Sequence, residues 1–513
     1  MIRTATRRAV AAVAALSLGA SLAVATSTPA AAATVKTLTY GIGFDPAAKG
    51  YDPMRTNGQR GFWESLYDGL FIDAPNGTVK PSRVTASSSS ADNLKFTMTI
   101  RSGVKFSDVS SLTPEVVKMN LDRRNDTNLV AYGPFRKGGA YEMTSVDVVG
   151  GNVVITWAKP QADPSAAFIN EAALIVSGLG LGSPQILAAA PYGSGPYVLQ
   201  KAGTIKGNTY LMKKNNRNFN AKAYPFAKLI YKTIFNAQAL ANAVVSGQID
   251  YALVDDNKSV AFLKARKAGL SSLGGKISML LFWDKLGKNV PAFKDVRVRE
   301  AIGLAIDRVA YVNALHKGDA PTVNMVAKGF PGYLPALDKT WGYNPSKAKQ
   351  LLADAGYASG FTFTVVTGAD AVAEYGFLAK QLAAVGITMQ VKVAASTDEV
   401  FGAVMTTGLG LLPGVPMTDP FGFIIGVIVN GFANMQKADS PQIGAALGQY
   451  FGAQNDAAKK AALEALNTAV VEQAWATPLL ESRVYVTYNV KKIKKVVFEQ
   501  GVSQPRLVTI QPR

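Results

Sequence analysis

Nucleophiles, bases and metal ligands are scarce in this chain of 513 residues, which holds no cysteine and a single histidine, His316. Disulfides, thiolate metal sites, thiol catalysis, a lipid-modified N-terminal cysteine and multi-histidine metal sites are excluded together. A serine acyl-enzyme of the Ser-x-x-Lys type needs a lysine amine that can take the hydroxyl proton. Ser102–Lys105 and Ser346–Lys349 both fit that spacing, yet neither Ser-Asp-Asn nor Lys-Thr-Gly accompanies them. Two hits to so loose a pattern, one in the first turn of an amphipathic helix, read as coincidence. No Gly-x-Ser-x-Gly elbow occurs, since Gly193-Ser194-Gly195 has the wrong spacing. A phosphate loop nearly forms at Gly269 to Lys276, but Gly275 stands where its lysine belongs. Gly178-Leu179-Gly180 fails as a dinucleotide fingerprint because Ser183 fills the last position. His316 ends a predicted helix, where an imidazole more often offsets the dipole than catalyses. The residues suggest no reaction centre, and no cofactor is expected.

The elements that would position a site come next. An apolar fraction of 48% is ample for packed cores, and the length suggests two to four domains. Arg3, Arg7 and Arg8 precede an apolar run from Ala9 to Ala25, and Ala31-Ala32-Ala33 offers a cleavage site before Thr34. That layout predicts a signal peptide over 1–33 and an exported chain, with an uncleaved anchor as the alternative. The three arginines of that segment carry part of the net charge of +19, leaving +16. Export disfavours nucleic acid as the partner of so basic a chain, and weak association with an anionic envelope is the expectation instead. Phe421 to Ala433 is apolar but interrupted by glycine and Asn430, so it reads as buried core rather than a membrane span.

Strand alternation is clear at Phe96 to Ile100, and Val146 to Val149 with Val153 to Trp157 predicts a hairpin turning at Gly150-Gly151. Thr113-Pro114-Glu115 predicts a helix start. Farther on, strands and helices alternate. Leu229 to Phe235 reads as a strand and Gln238 to Ser246 as a helix stopped by Gly247. One amphipathic helix is predicted over Asp295 to Leu315, another from Asn344-Pro345 to Gly356. Phe361 to Val366, Ala371 to Val385 and Ile387 to Val393 predict a β–α–β unit, and a long helix is predicted over about 453–473. The whole reads as a large α/β chain with a β-rich insert near its start.

Several of these segments resemble family 5 extracellular solute-binding proteins, the peptide/nickel/dipeptide receptors of ABC importers. Glu64 to Leu70 and Asn76 to Pro81 resemble the family's opening, and Ile100 to Asp108 its "LRDGVKFSDG" hairpin. Gly193 to Leu199 is similar to "GTGPYKL", Phe293 to Arg299 with Ala305 to Arg308 to "FKDVRVRQA…AIDR", and Tyr343 to Tyr357 to "YDPEKAKALLAEAGY". The resemblance implies a bilobed α/β periplasmic-binding-protein type II fold (cluster C) with an extra accessory domain. Lobe I would take 34–72, 193–283 and 480–513, the accessory domain 73–192 and lobe II 284–479. It also implies a monomer that captures a short peptide or other small solute and delivers it to an ABC permease.

In the family's peptide receptors a second-lobe carboxylate pairs with the ligand's amino group, and the resemblance carries that role to Asp419. The alternative is that Asp419 caps the next helix or turns the chain before Pro420. The expected aromatic neighbour is replaced by Met417-Thr418. Phe282 and Trp283 lie near the expected crossover, Glu481 and Arg483 near the expected return strand, and Tyr51 in the first lobe. These are the candidate ligand contacts. A secreted serine hydrolase, or a secreted binder of haem, siderophore or metal chelate with no permease, are the competing readings.

Overall fold

In the computed structural model the described residues are 37–56, 60–73, 79–139, 141–161, 163–169, 171–254, 256–395, 397–416, 420–498 and 504–513. Strand β1 (Thr37–Ile42) opens the chain. An insert follows with β2 (Val84–Ser89), β3 (Lys95–Ile100), β4 (Met143–Val149) and β5 (Asn152–Trp157), paired in the order β2-β3-β5-β4. The hairpin turns at Gly150 and Gly151, both at positive φ as a tight turn requires. Beside it the helix Pro114–Asp122 starts where predicted, the Thr113 hydroxyl accepting from the Val116 N–H.

The main sheet takes β6 (Tyr197–Leu199), β7 (Thr209–Lys214), β8 (Lys228–Thr233), β9 (Tyr251–Val254), β10 (Gly269–Phe282), β13 (Leu409–Pro416) and β14 (Ala476–Tyr488). Their order, with β1, is β13-β10-β14-β9-β1-β8-β7-β6. β11 (Phe361–Thr367) and β12 (Ile387–Val393) form a separate parallel pair joined through the helix Val372–Ala383, as the β–α–β reading predicted. β1 runs parallel to β8 and β9, and β14 is antiparallel to both β9 and β10. β1, β8, β9 and β10 therefore all point the same way.

One predicted helix breaks in two. The segment 295–315 forms Val296–Leu304 and Arg308–Leu315, because Asp307 accepts from the Ala310 N–H and caps a second helix. Val309, in helical register with Ile302 and Ala305, is exposed in the second piece. The helix predicted over about 453–473 forms as Asp456–Glu472, capped by Asn455 and preceded by the separate helix Pro441–Gly452. Phe421 to Ala433 is core as predicted, with Ile424, Ile425 and Ile428 buried. No helix among the described residues is long and apolar enough to cross a membrane.

Apolar packing divides the molecule. One set of clusters gathers β1, β7, β8, β9, the insert and Val486, Ile493 and Ile510 from the end of the chain. The other gathers residues from Ile277 to Leu480. Only β10 and β14 belong to both sets, and their residues 271–276 and 481–484 join neither. The insert shares a continuous core with the first set, Phe71, Phe96 and Phe168 stacking in one group. The passage of these strands between the two sets, at 271–276 and 481–484, is called the crossing, and β10, 14 residues long, continues well beyond it.

Candidate functional site

In open α/β sheets the crevice for ligand lies outside the carboxyl ends of the parallel strands. Here those ends face the crossing. Phe44 follows β1 and is 37% exposed, and Phe235 follows β8 and is 72% exposed. The Ile234 N–H donates to the Ile42 carbonyl (2.8 Å), which holds the two strand ends together. Ile205, 64% exposed, sits in the turn entering β7, tied to β8 by a bond from the Thr233 N–H to the Asn208 carbonyl (2.8 Å). Asp45 fixes the same turn, accepting from the Tyr210 phenol, whose oxygen in turn accepts from the Gly207 N–H (3.0 Å). Beyond β9, one Asp256 oxygen caps the helix Asn257–Ala265 through the Ser259 N–H (2.7 Å), and the other has no hydrogen-bond partner among the described residues.

The crossing itself is irregular. Gly274 pairs with Arg483 and Lys276 with Ser482, so Gly275 is an extra residue in β10, and a second register shift follows between Ser278 and Met279. Such bulges bend a strand and loosen its ladder. Gly275 takes φ +120°, and a Cβ there would come within 2.8 Å of the Phe330 ring. Glu481 is half-buried at this point, accepts from the Lys328 N–H (2.9 Å), and has its carboxyl pushed up by burial against the opposing pull of that bond and of Arg483. Arg483 is exposed two residues along the same strand, which places both on one face. On the second side Asp319 has its carboxyl pushed up by burial, with Asn257 hydrogen-bonded to it from the first side.

Of the predicted contacts, Glu481 and Arg483 stand at the crossing. Asp419 lies outside the described residues, but β13 ends at Pro416 opposite Lys276, so the strand leading to it arrives at the crossing. Phe282 and Trp283 require correction. They come six and seven residues beyond Lys276, about 20 Å along an extended strand, at the far end of β10. Phe282 is fully buried, edge-on to Phe293 at 5.3 Å. Trp283 packs against Gly410, where any side chain would overlap the indole. Thr477 is likewise buried, opposite Leu280. Tyr51 is also a core residue, edge-on to Tyr210 at 6.4 Å with its carbonyl accepting from Tyr67 (2.6 Å). Its phenol is pushed up by burial and by Asp45. Phe44, Ile205 and Phe235 were missed, because a lone apolar residue after a strand carries no periodic signal.

Neither Ser-x-x-Lys tetrad assembles a catalytic pair. The Lys105 ammonium bonds to the Ser111 hydroxyl (2.7 Å), and Ser346 and Lys349 are exposed on the helix Pro345–Asp354. His316 closes the helix Arg308–Leu315, between the Tyr311 hydroxyl and Glu374, each 3.3 Å away. Among the described residues no group of three or more His, Asp or Glu is placed to hold a metal ion.

A mixed sheet whose two strands link separately packed sides is the architecture of periplasmic binding proteins. The periplasmic binding protein DppA from Helicobacter pylori, solved with the peptide STSA, superposes with a TM-score of 0.76 at 20% identity, covering 93% of this chain and 98% of its own. NikA from Brucella suis, solved with Fe(III)-EDTA, does so with a TM-score of 0.74 at 20% identity, covering 93% and 100%. Residues 78–414 match the model of the bacterial extracellular solute-binding proteins, family 5 Middle, and the chain belongs to that family. The glutathione-binding protein GsiB of Escherichia coli O1:K1 is 28% identical over 337 residues. That match spans 64% of this chain and 64% of the length of GsiB.

Proposed function

We propose that this chain is the exported receptor of an ABC importer, a monomer that holds a small solute between two lobes and passes it unaltered to a permease. One observation carries the reading: among the described residues no apolar cluster spans 271–276 and 481–484, where two bulged strands join the separately packed sides. A joint of that kind bends at little cost in buried surface. Closure then needs a ligand touching both sides, since one that binds open and closed forms equally shifts nothing. Phe44, Ile205 and Phe235 give one wall an apolar character, and Glu481 and Asp256 add acceptors for a cationic group. With Asp419 as a second-wall carboxylate, a short peptide or similar amine with an apolar portion suits the site.

The test is mass spectrometry of whatever co-purifies with the native protein, followed by titration of that compound while small-angle scattering reports the radius of gyration. A bound compound recovered unchanged, with a smaller radius on saturation, is the expected result. Turnover of the compound, or binding with no compaction, would refute the reading. Asp419→Asn should abolish the compaction produced by a peptide ligand, and an undiminished response would remove Asp419 from the site.

A further inference from the structure

The edge of the main sheet opposite the crossing is strongly basic. β1, β8, β9 and β10 begin there and β14 ends there. β10 starts at Gly269 opposite Tyr488, so Lys267 and Lys491 leave the sheet side by side. The strand β15 (Ile493–Val496) is laid against the start of β10 by a bond from the Ser271 hydroxyl to the Val496 carbonyl (3.0 Å). Ile493 and Val496 face inward, leaving Lys494 and Lys495 exposed. Arg513 is held on the same edge by bonds from its backbone N–H to Lys492 (2.9 Å) and from its Nε to Val490 (2.5 Å). Arg266 adds a sixth exposed cation. The segments 262–270, 484–498 and 504–513 contain no acidic residue. The nearby Asp250 is buried and already engaged by the Thr39 N–H (2.9 Å) and the Lys492 ammonium (2.8 Å).

We infer that this edge is a docking surface for a bilayer of anionic phospholipid. The proposal rests on the reading of the chain as exported, and it would hold the receptor at the membrane surface. The cations stand on strand ends and tight turns rather than on a free tail, so they form a prearranged face whose charge few protein acids cancel. Val490, 41% exposed among them, offers an apolar contact at headgroup depth. Stacking rings between the cations, which single-stranded nucleic acid would need, are not provided by the exposed residues of these segments. Each lysine or arginine near an anionic surface strengthens binding by roughly fivefold.

The test is co-sedimentation of the full chain with vesicles of phosphatidylcholine alone and of phosphatidylcholine with phosphatidylglycerol, at low and high salt. Binding to the anionic vesicles is expected, lost at high salt. The variant K491E/K494E/K495E should weaken it by roughly a hundredfold, with circular dichroism unchanged because all three side chains are exposed. K339E/K349E/K380E, which removes the same charge from exposed positions elsewhere, should retain most of the binding. All forms carry the same N-terminus, so its contribution cancels between them. Equal loss in the two variants would reduce the effect to net charge and overturn the proposal. So would no loss in the first variant, equal binding to neutral vesicles, or binding to a soluble polyphosphate polymer without binding to vesicles. Ligand-induced compaction is read separately and stands or falls on its own.

Discussion

Lys285 is almost wholly buried, three residues past the end of the long crossing strand, and its removal gives a sharp test of the second side's packing. Its ammonium donates to the Phe282 carbonyl (2.6 Å) and to the Ala433 carbonyl, and lies 4.9 Å over the Trp475 ring. It thus ties the end of β10 to the segment that follows the Asp419 region. Burial, reinforced by the Arg299 charge and opposed by Asp284, pulls the amine from its ordinary 10.5 down to about 7. The sign follows from linkage. Between those two values the unfolded chain binds a proton that the folded chain does not, so stability rises with pH across that window and is flat below it. At its steepest the rise is about 1.4 kcal/mol per pH unit, or about 2–3 kcal/mol between about pH 7.5 and about 9.5. Urea denaturation of the protein and of Lys285→Met over that range isolates the term, since every other titrating group is common to both. The wild-type stability should climb relative to the variant. A flat difference, or one that falls as pH rises, would show that the two carbonyls and the indole stabilise the ammonium more than burial penalises it, and would refute the reasoning.

Three further outcomes follow from the same structure. Gly275→Ala places a side chain at φ +120° against Phe330 and should cost about 1–3 kcal/mol. Its measured ligand affinity should change by more than that of an equally destabilised variant outside the crossing; an identical change would deny the joint a special role. Asn467, fully buried, donates to Asn324 and to the Gly332 carbonyl (both 2.9 Å) and accepts from the Met325 N–H (2.9 Å). Asn467→Ala strands three partners and should lower stability by about 2–4 kcal/mol in chemical denaturation. Phe235→Ala should leave stability within about 0.5 kcal/mol, because the ring is exposed, yet weaken binding of an apolar solute in calorimetry. Unchanged affinity would take the ring out of the site.

Local signals were read well where the residue itself dictates the conformation. Thr113-Pro114, Asn344-Pro345 and the Gly150-Gly151 turn all do what their caps and positive φ require. Gly356, at φ +87°, ends its helix as predicted. Periodicity misled where a cap interrupts it: Ala305 and Ile306 continue the apolar stripe of the preceding helix, so the break imposed by Asp307 was invisible to the pattern. The crossing was hidden for a different reason. Leu280, Leu281, Phe282 and Trp283 signal burial equally well at a joint or inside a core, and only pairing with β13 and β14 shows that they lie past the joint. The site's walls come from chain segments nearly two hundred residues apart, such as Phe44 and Phe235, whose proximity is a property of sheet order rather than of spacing.

That sheet order also governs when the molecule can become itself. β14, formed by residues 476–488, is an interior strand between β10 and β9, and the first core still needs Ile493 and Ile510. The first hydrophobic core therefore cannot be completed until residues as far along as Ile510 are available to pack. Pairings across so large a sequence separation form slowly, so the topology defers the final compaction of the first side to a late stage of folding.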